Sequence, residues 1–161
     1  PEDVRGQCPG GAAAVTRSAP NQGLQLLVTC EHASPAVPKE LADLGLPRAV
    51  LRSHRGWDPG ALGIAEAIAR TFAVPLHRGR WSRLVADLNR SEDHPRVVAE
   101  RVDGRPVPGN QLDAAALAQR LSTYWRPYRQ RAETAITAAA RSTGVLHLSV
   151  HSFTPKLGGV E

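Results

Sequence analysis

Short apolar segments alternate with helical patterns along this chain. Leu24 to Cys30 reads LQLLVTC, an apolar run without polar alternation, which is typical of a central strand covered on both faces. Val74 to Arg78 and Leu84 to Leu88 are predicted as two further strands. Val145 to Pro155, VLHLSVHSFTP, begins as a buried strand and ends in a turn. Strands that alternate with helices favour a layered α/β domain.

Two longer helices are predicted between these strands. Asp58 precedes Pro59, a residue that is well tolerated at the first helical position, so Asp58 is a plausible N-cap. From Gln111 to Arg141 the pattern is again helical, and Pro127 is expected to kink or divide that helix. The first of the two helices is indicated by apolar residues at helical spacing: Ala61, Ile64, Ala65, Ile68 and Phe72.

A length of 161 residues is sufficient for one domain with a core. Residues 1–22 are rich in Gly and Pro and lack a periodic apolar pattern, so we expect a flexible N-terminal arm. Residues 23–161 are then a single α/β domain. Its last strand lies close to the end of the sequence at Glu161, and no methionine opens the chain at Pro1. We therefore expect a domain that is incomplete at its C-terminus.

The composition bears on the partners of the protein. The formal net charge is +5, and all basic residues except Lys39 and Lys156 are arginines. Such a charge is compatible with an arginine-rich module that binds nucleic acid or another polyanion. The arginines are scattered along the sequence, however, which favours a small anionic substrate and no nucleic acid. A membrane span requires a run of roughly 18 apolar residues, and the sequence contains no such run. Two cysteines, Cys8 and Cys30, form no disulfide framework, and we expect a cytoplasmic protein.

Three residues suited to metal binding fall at the ends of predicted elements. His32 follows the first strand, Asp58 lies at a junction between loop and helix, and His151 follows the last strand. Open α/β sheets place ligands and catalytic groups at the carboxyl ends of their strands. Two imidazoles and one carboxylate are a common ligand set for catalytic zinc, with the fourth position left for water or substrate. The alternative is a capping aspartate and two ordinary loop histidines.

Four sequence blocks resemble the N-formylglutamate amidohydrolase family. They are CEHAS at 30–34, HRGWDPGA at 54–61, WSRLVADLNRS at 81–91 and SVHSFTP at 149–155. The resemblance implies a three-layer α/β fold with a mixed, mainly parallel central sheet, similar to the zinc carboxypeptidases and the aspartoacylase group. It also implies a zinc ion, for which His151 in SVHSF is the clearest ligand.

The same resemblance indicates a site for a substrate carboxylate. Asn89 and Arg90 in DLNR look like the pair that binds this group in the relatives, and a guanidinium matches carboxylate geometry with two parallel hydrogen bonds. The alternative for Arg90 is a surface ion pair. Arg83 is a candidate second anion contact or a solvent-facing arginine.

The sequence departs from the carboxypeptidase pattern at one ligand. In those relatives a glutamate stands three residues after the first histidine, whereas Pro35 occupies that position here. Asp58 is therefore our candidate for the carboxylate ligand. Glu31 is read as a supporting residue, since neighbouring strand residues point to opposite faces. His54 is a candidate hydrogen-bonding group, and His147 is read as a packed strand residue.

These residues together predict zinc-dependent hydrolysis of the amide bond of an N-acylated amino acid. N-formylglutamate, which would give formate and glutamate, is the simplest substrate, and the function would belong to amino-acid metabolism. A carboxypeptidase-like enzyme or a deacylase of other specificity is the alternative. The general base is not identified and is expected beyond Glu161, so we expect slow turnover by these 161 residues alone. The oligomeric state stays open.

Overall fold

The computed structural model describes residues 23–142 and 144–153 and contains a parallel three-stranded sheet. Its order is β2-β1-β5, with β1 at Gln25–Cys30, β2 at Leu76–Arg78 and β5 at Val145–Ser149. Both neighbours pair with β1 in parallel register, for example Thr29 with His77 and with Ser149. The predicted strands at the first, second and last apolar segments are confirmed. The predicted N-terminal arm lies outside the described residues.

The remaining elements lie between these strands. The α-helices are α1 (Arg48–Leu51), α2 (Ala61–Phe72), α3 (Ala114–Arg120) and α4 (Arg126–Ser142), and a two-stranded antiparallel ribbon is formed by β3 (Arg101–Val102) and β4 (Arg105–Pro106). Short 3-10 segments occupy Lys39–Gly45 and Pro108–Asn110. Among the described helices, none is both long enough and apolar enough to span a membrane.

Strand β1 is central, as its sequence predicts, and its second half is fully buried. Val28 and Cys30 pack against α2 through Ala61 and Ala65. Alanines at this spacing put only methyl groups at the contact, so the helix can lie close to the strand. Two other members of the predicted apolar face of α2 are exposed, namely Ile64 at 56% and Phe72 at 62%, so that prediction is wrong for them.

The long C-terminal helix is interrupted at the place that its proline predicts. A π-helical turn, Leu121–Trp125, separates α3 from α4, and Pro127 follows it. Proline has no N–H to donate within a helix and its ring presses on the preceding turn, so a change in hydrogen-bond pattern just before it is expected. Leu121, Trp125 and Tyr128 from this region are buried in one core cluster.

The prediction of a strand at Leu84 to Leu88 is wrong. The segment forms turns, with the Val85 N–H donating to the Ser82 carbonyl at 2.9 Å. Leu84, Val85, Ala86 and Leu88 are nevertheless buried. A short apolar run reports burial and does not by itself distinguish a strand from a buried turn.

Strand β5 also differs from its prediction. Among the described residues it is an edge strand paired with β1 alone, and it is exposed along most of its length. Leu146 and Leu148 are 56% and 38% exposed. The chain becomes buried again only at Val150, just before His151.

Candidate metal centre

His32, Asp58 and His151 converge at the carboxyl edge of the sheet. His32 lies two residues after β1, Asp58 lies in the loop before α2, and His151 lies two residues after β5. Each offers one ligand atom, and these three atoms lie within 4.8 Å of one another. His32 and Asp58 are buried, and the His151 side chain is 14% exposed. Residues separated by up to 119 positions in sequence therefore form one cluster.

Backbone hydrogen bonds hold Asp58 in this position. Its N–H donates to the His32 carbonyl at 3.0 Å, which ties the loop to the end of β1. The Gly56 carbonyl accepts from the Arg83 N–H at 3.0 Å and from the Ser82 hydroxyl at 2.7 Å. The N-cap of α2 is Gly60, so the predicted capping role of Asp58 is wrong. Its carboxylate is directed to the histidines.

Asp87 orients His32. The imidazole Nε2–H donates to Asp87 Oδ1 at 2.7 Å, and the same oxygen accepts from the Asn89 N–H at 3.0 Å. A proton on Nε2 leaves the lone pair of a neutral imidazole on Nδ1. His32 Nδ1 lies 3.4 Å from Asp58 Oδ2 and accepts a hydrogen bond from Arg83. A carboxylate that fixes the far nitrogen of a ligating histidine is a regular feature of metal sites.

His151 bridges two carboxylates. Its Nδ1 donates to Asp58 Oδ2 at 2.7 Å, while Nε2 lies 3.0 Å from Ser149 Oγ and 3.4 Å from Glu31 Oε2. Hydrogen bonds to Asp58 and then to Glu31 raise the pKa of His151 to about 9, although burial opposes this rise. The imidazole is therefore a cation near neutral pH in the metal-free structure. A metal ion bound at one ring nitrogen would take the place of the proton on that nitrogen, while the other nitrogen could keep its proton.

Glu31 is a buried support for this histidine. Its carboxylate accepts from the Ser149 hydroxyl at 2.7 Å and from the Tyr128 hydroxyl at 3.0 Å. Burial alone would raise the pKa of Glu31, but hydrogen bonds from His151, Ser149, Thr29 and Tyr128 lower it to about 2. The group is thus ionised in the interior. A supporting role fits this arrangement better than a ligand role.

The charge on Asp58 is also strongly favoured. Burial acts to raise its pKa, yet the hydrogen bond from His151 and the positive charge of Arg83 hold that pKa well below the usual range of an aspartate. Arg83 Nη2 lies 2.9 Å from Asp58 Oδ1. A carboxylate that stays ionised while buried is prepared to bind a cation.

A cationic cavity of about 270 Å³ adjoins the cluster. Arg83, Asp87 and Arg90 lie in its wall, together with His54 and further arginines. Arg90 is held by Asp87 Oδ2 at 3.2 Å and by His94 Nε2 at 2.9 Å. Arg90 therefore forms its ion pair with Asp87, a carboxylate of the same site. The cavity is suited to a small anion presented beside the candidate metal ligands.

The other candidates take different places. Asn89 is exposed and, among the described residues, only its backbone N–H is found in contact with the site, through Asp87. His54 lines the cavity without a described hydrogen bond to the cluster. His147 contacts Thr29 Oγ1 at 2.9 Å, and it is exposed where we expected a packed residue.

The donor set of the cluster fits a zinc ion. Two imidazoles and one carboxylate are ligands that zinc prefers, and three protein ligands leave a position for water or substrate. The buried, ionised Asp58 and the fixed Nδ1 lone pair of His32 are both prepared for a cation. A parallel α/β fold with this set at the carboxyl edge of its sheet defines a candidate metal-binding α/β protein.

Two comparisons with known proteins give the family of the chain and a similar solved structure. The family model for N-formylglutamate amidohydrolase matches residues 24–161, and the chain belongs to that family. The crystal structure of gene product Atu2144 from Agrobacterium tumefaciens is similar, with a TM-score of 0.77 and 37% sequence identity. The match covers 83% of this chain and 54% of that protein, so the chain spans about half of its length. No curated protein matches the sequence.

Proposed function

We propose that this chain carries the metal centre of an enzyme that hydrolyses the amide bond of an N-acylated amino acid. N-formylglutamate is the favoured substrate and zinc the favoured metal. The observation that supports this most strongly is the convergence of His32, Asp58 and His151 in a member of the N-formylglutamate amidohydrolase family. Sequence spacing alone did not require these residues to meet.

The protein side chains would bind and position the reactants. His32, Asp58 and His151 would hold the zinc ion, with Asp87 keeping His32 Nδ1 free of a proton. Zinc in such a site polarises a carbonyl group and lowers the pKa of water toward about 7. Arg90 would bind the carboxylate of the amino-acid half in the cavity, with Arg83 as a second contact. Anchoring that half of the substrate presents the amide to the metal centre.

The acyl group is the less defined half of the substrate. The cavity contains guanidinium groups that suit a carboxylate, and the family favours a formyl group. A deacylase with another acyl group, or a carboxypeptidase-like enzyme, would use the same ligands and the same arginine. Comparison of N-formylglutamate with N-acetylglutamate and with a dipeptide that ends in glutamate separates these possibilities. We expect the formyl compound to be hydrolysed fastest.

Two histidines near β5 provide a matched test of the metal. His151→Ala removes a proposed ligand, whereas His147→Ala removes an exposed histidine of β5 whose ring lies at hydrogen-bond distance from Thr29 Oγ1. We expect about one zinc per chain by elemental analysis in the wild type and in His147→Ala, and little in His151→Ala. Equal zinc content in all three proteins would contradict the ligand assignment.

Formate release tests the reaction itself. The zinc-loaded chain is incubated with N-formylglutamate, and formate is measured against the His151→Ala protein as the reference. A slow release that His151→Ala abolishes supports amide hydrolysis. Release that does not exceed the reference, under conditions in which zinc is bound, would overturn the proposed reaction and leave only a metal site.

A further inference from the structure

The side chain of Arg83 lies inside the proposed ligand set. Its Nη2 donates to Asp58 Oδ1 at 2.9 Å and also contacts His32 Nδ1. We infer that Arg83 is an internal cation of the metal-free centre and competes with the metal for His32 and Asp58. The inference rests on the proposed function, because it concerns the same three ligands.

The competition follows from what each group offers. The Asp58 side chain is 3% exposed and lies 2.9 Å from Arg83 Nη2, and a buried carboxylate requires a compensating positive charge. His32 Nδ1 carries a lone pair, since Asp87 accepts the proton on Nε2. A guanidinium satisfies the carboxylate and the lone pair together through its N–H groups. A metal ion satisfies the same two groups, so only one of the two cations can occupy the position.

Arg83 is incompletely bound in this state. Its Nε is buried and has no hydrogen-bond acceptor within the described part of the chain. Its side chain is 28% exposed and also forms part of the wall of the 270 Å³ cavity, where Arg90 lies. The guanidinium therefore has open space beside it. Displaced from Asp58, Arg83 turns to the cavity and presents its free donors to a carboxylate there.

The exchange links two events at the site. While Arg83 holds Asp58, its Nη2 group is bound to that carboxylate and is unavailable to an anion. Once the metal takes the ligands, the guanidinium is released to the cavity and the substrate anchor is completed. Arg83 is thus a positioning residue whose location depends on metal occupancy, in addition to the anion contact that its sequence position indicates.

Zinc affinity measured against a chromophoric chelator tests the inference without any turnover. Arg83→Met removes the internal cation while keeping a side chain of similar length. Competition lowers the apparent affinity in proportion to the fraction of open sites, so a centre that is about 90% occupied by Arg83 should bind zinc about tenfold tighter in the variant. The matched control is Arg96→Met, because Arg96 is an exposed arginine of the same cavity wall outside the ligand set. We expect its zinc affinity to stay within about threefold of the wild type.

The outcomes separate this inference from the proposed function. Unchanged or weaker zinc binding in Arg83→Met, with a folded protein by near-ultraviolet circular dichroism, overturns the competition and leaves the metal site in place. Equal tightening in Arg83→Met and Arg96→Met indicates a general charge effect and also overturns it. Absence of zinc binding in the wild type and in both variants overturns the proposed function. If Arg83→Met does not fold, the neutral variant Arg83→Gln replaces it, with the same tightening expected.

Discussion

The buried carboxylate beside the candidate metal centre provides a prediction with an internal control. Tyr128 is 4% exposed and donates to Glu31 Oε1 at 3.0 Å, while Glu31 is itself 5% exposed. Tyr124, one helical turn earlier, donates to Glu40 Oε1 at 2.9 Å on the surface. The two pairs have the same chemistry and nearly the same length. They differ in burial.

Removal of each hydroxyl by a Tyr→Phe change should therefore have unequal effects. In Tyr128→Phe the buried carboxylate loses a charged hydrogen bond that water cannot replace, which costs about 1.5–3 kcal/mol. For a chain of this size the loss corresponds to roughly 3–12 °C in melting temperature. In Tyr124→Phe, water replaces the hydroxyl at Glu40, and we expect a change of about 1 °C or less.

Thermal unfolding of the metal-free proteins, followed by far-ultraviolet circular dichroism, measures both effects. Glu31 lies 3.4 Å from His151 Nε2, so Tyr128→Phe should also weaken zinc binding, whereas Tyr124→Phe should not. Equal losses of stability in the two variants would refute the reasoning, because burial would then not control the strength of the bond. Unchanged zinc binding in a destabilised Tyr128→Phe protein would limit Glu31 to a role in folding.

Three further predictions concern the same region. Asp87→Ala removes the carboxylate that orients a ligand and should weaken zinc binding by about 10- to 100-fold in a chelator competition, whereas the exposed Asp93→Ala should leave it unchanged. The raised pKa of His151 means that its charged form stabilises the metal-free fold fully below pH 6.5, and this stability is lost as the pH rises through about 9. The melting temperature should therefore fall across that window in the wild type and less in His151→Gln, and a wild-type melting temperature that stays constant or rises would contradict the assignment. A Cβ at Gly56 would lie 2.0 Å from a backbone carbonyl oxygen, so Gly56→Ala should lower the unfolding free energy by about 2–3 kcal/mol. In Gly63→Ala the added Cβ meets no atom within 4 Å, and because alanine favours a helix the unfolding free energy should rise by up to about 1 kcal/mol. Urea denaturation in which both variants change the unfolding free energy in the same direction would refute this prediction.

Several elements could be predicted from the sequence because their local patterns carry enough information. The apolar run from Leu24 to Cys30 predicts a central strand, and the observed β1, Gln25–Cys30, is central. The proline at 127 predicts a break, and a π-helical turn at Leu121–Trp125 ends just before it. The apolar side chains of the run favour burial of the strand on both faces, and the proline removes a backbone N–H from the helix.

Other predictions were wrong because a tertiary partner decides them. Asp58 has the sequence position of an N-cap, but its carboxylate is bound by His151 and Arg83. Leu84 to Leu88 has the composition of a strand, but its backbone is held in turns. A local sequence pattern indicates which secondary structure a segment prefers. Hydrogen bonds from distant segments can override that preference.

The same limit explains which parts of the site were missed. Asp87 stands beside Asn89 and Arg90 in the motif that the sequence emphasised, yet its contact with His32 spans 55 positions. Alternation along the segment gives no sign of that contact. The DLNR motif could have suggested a role for its aspartate, but only the fold shows which histidine it reaches.

The sequence by itself determined the class of the domain, its central strand and the residue types available for a metal, because strand and helix periodicity and ligand chemistry are local properties. Only the tertiary structure decided that His32, Asp58 and His151 meet, that Asp87 sets the tautomer of His32, and that Arg83 contacts both His32 and Asp58. These contacts join residues 25 to 119 positions apart. They depend on parallel pairing at the sheet edge and on the burial of charge, which no single segment contains.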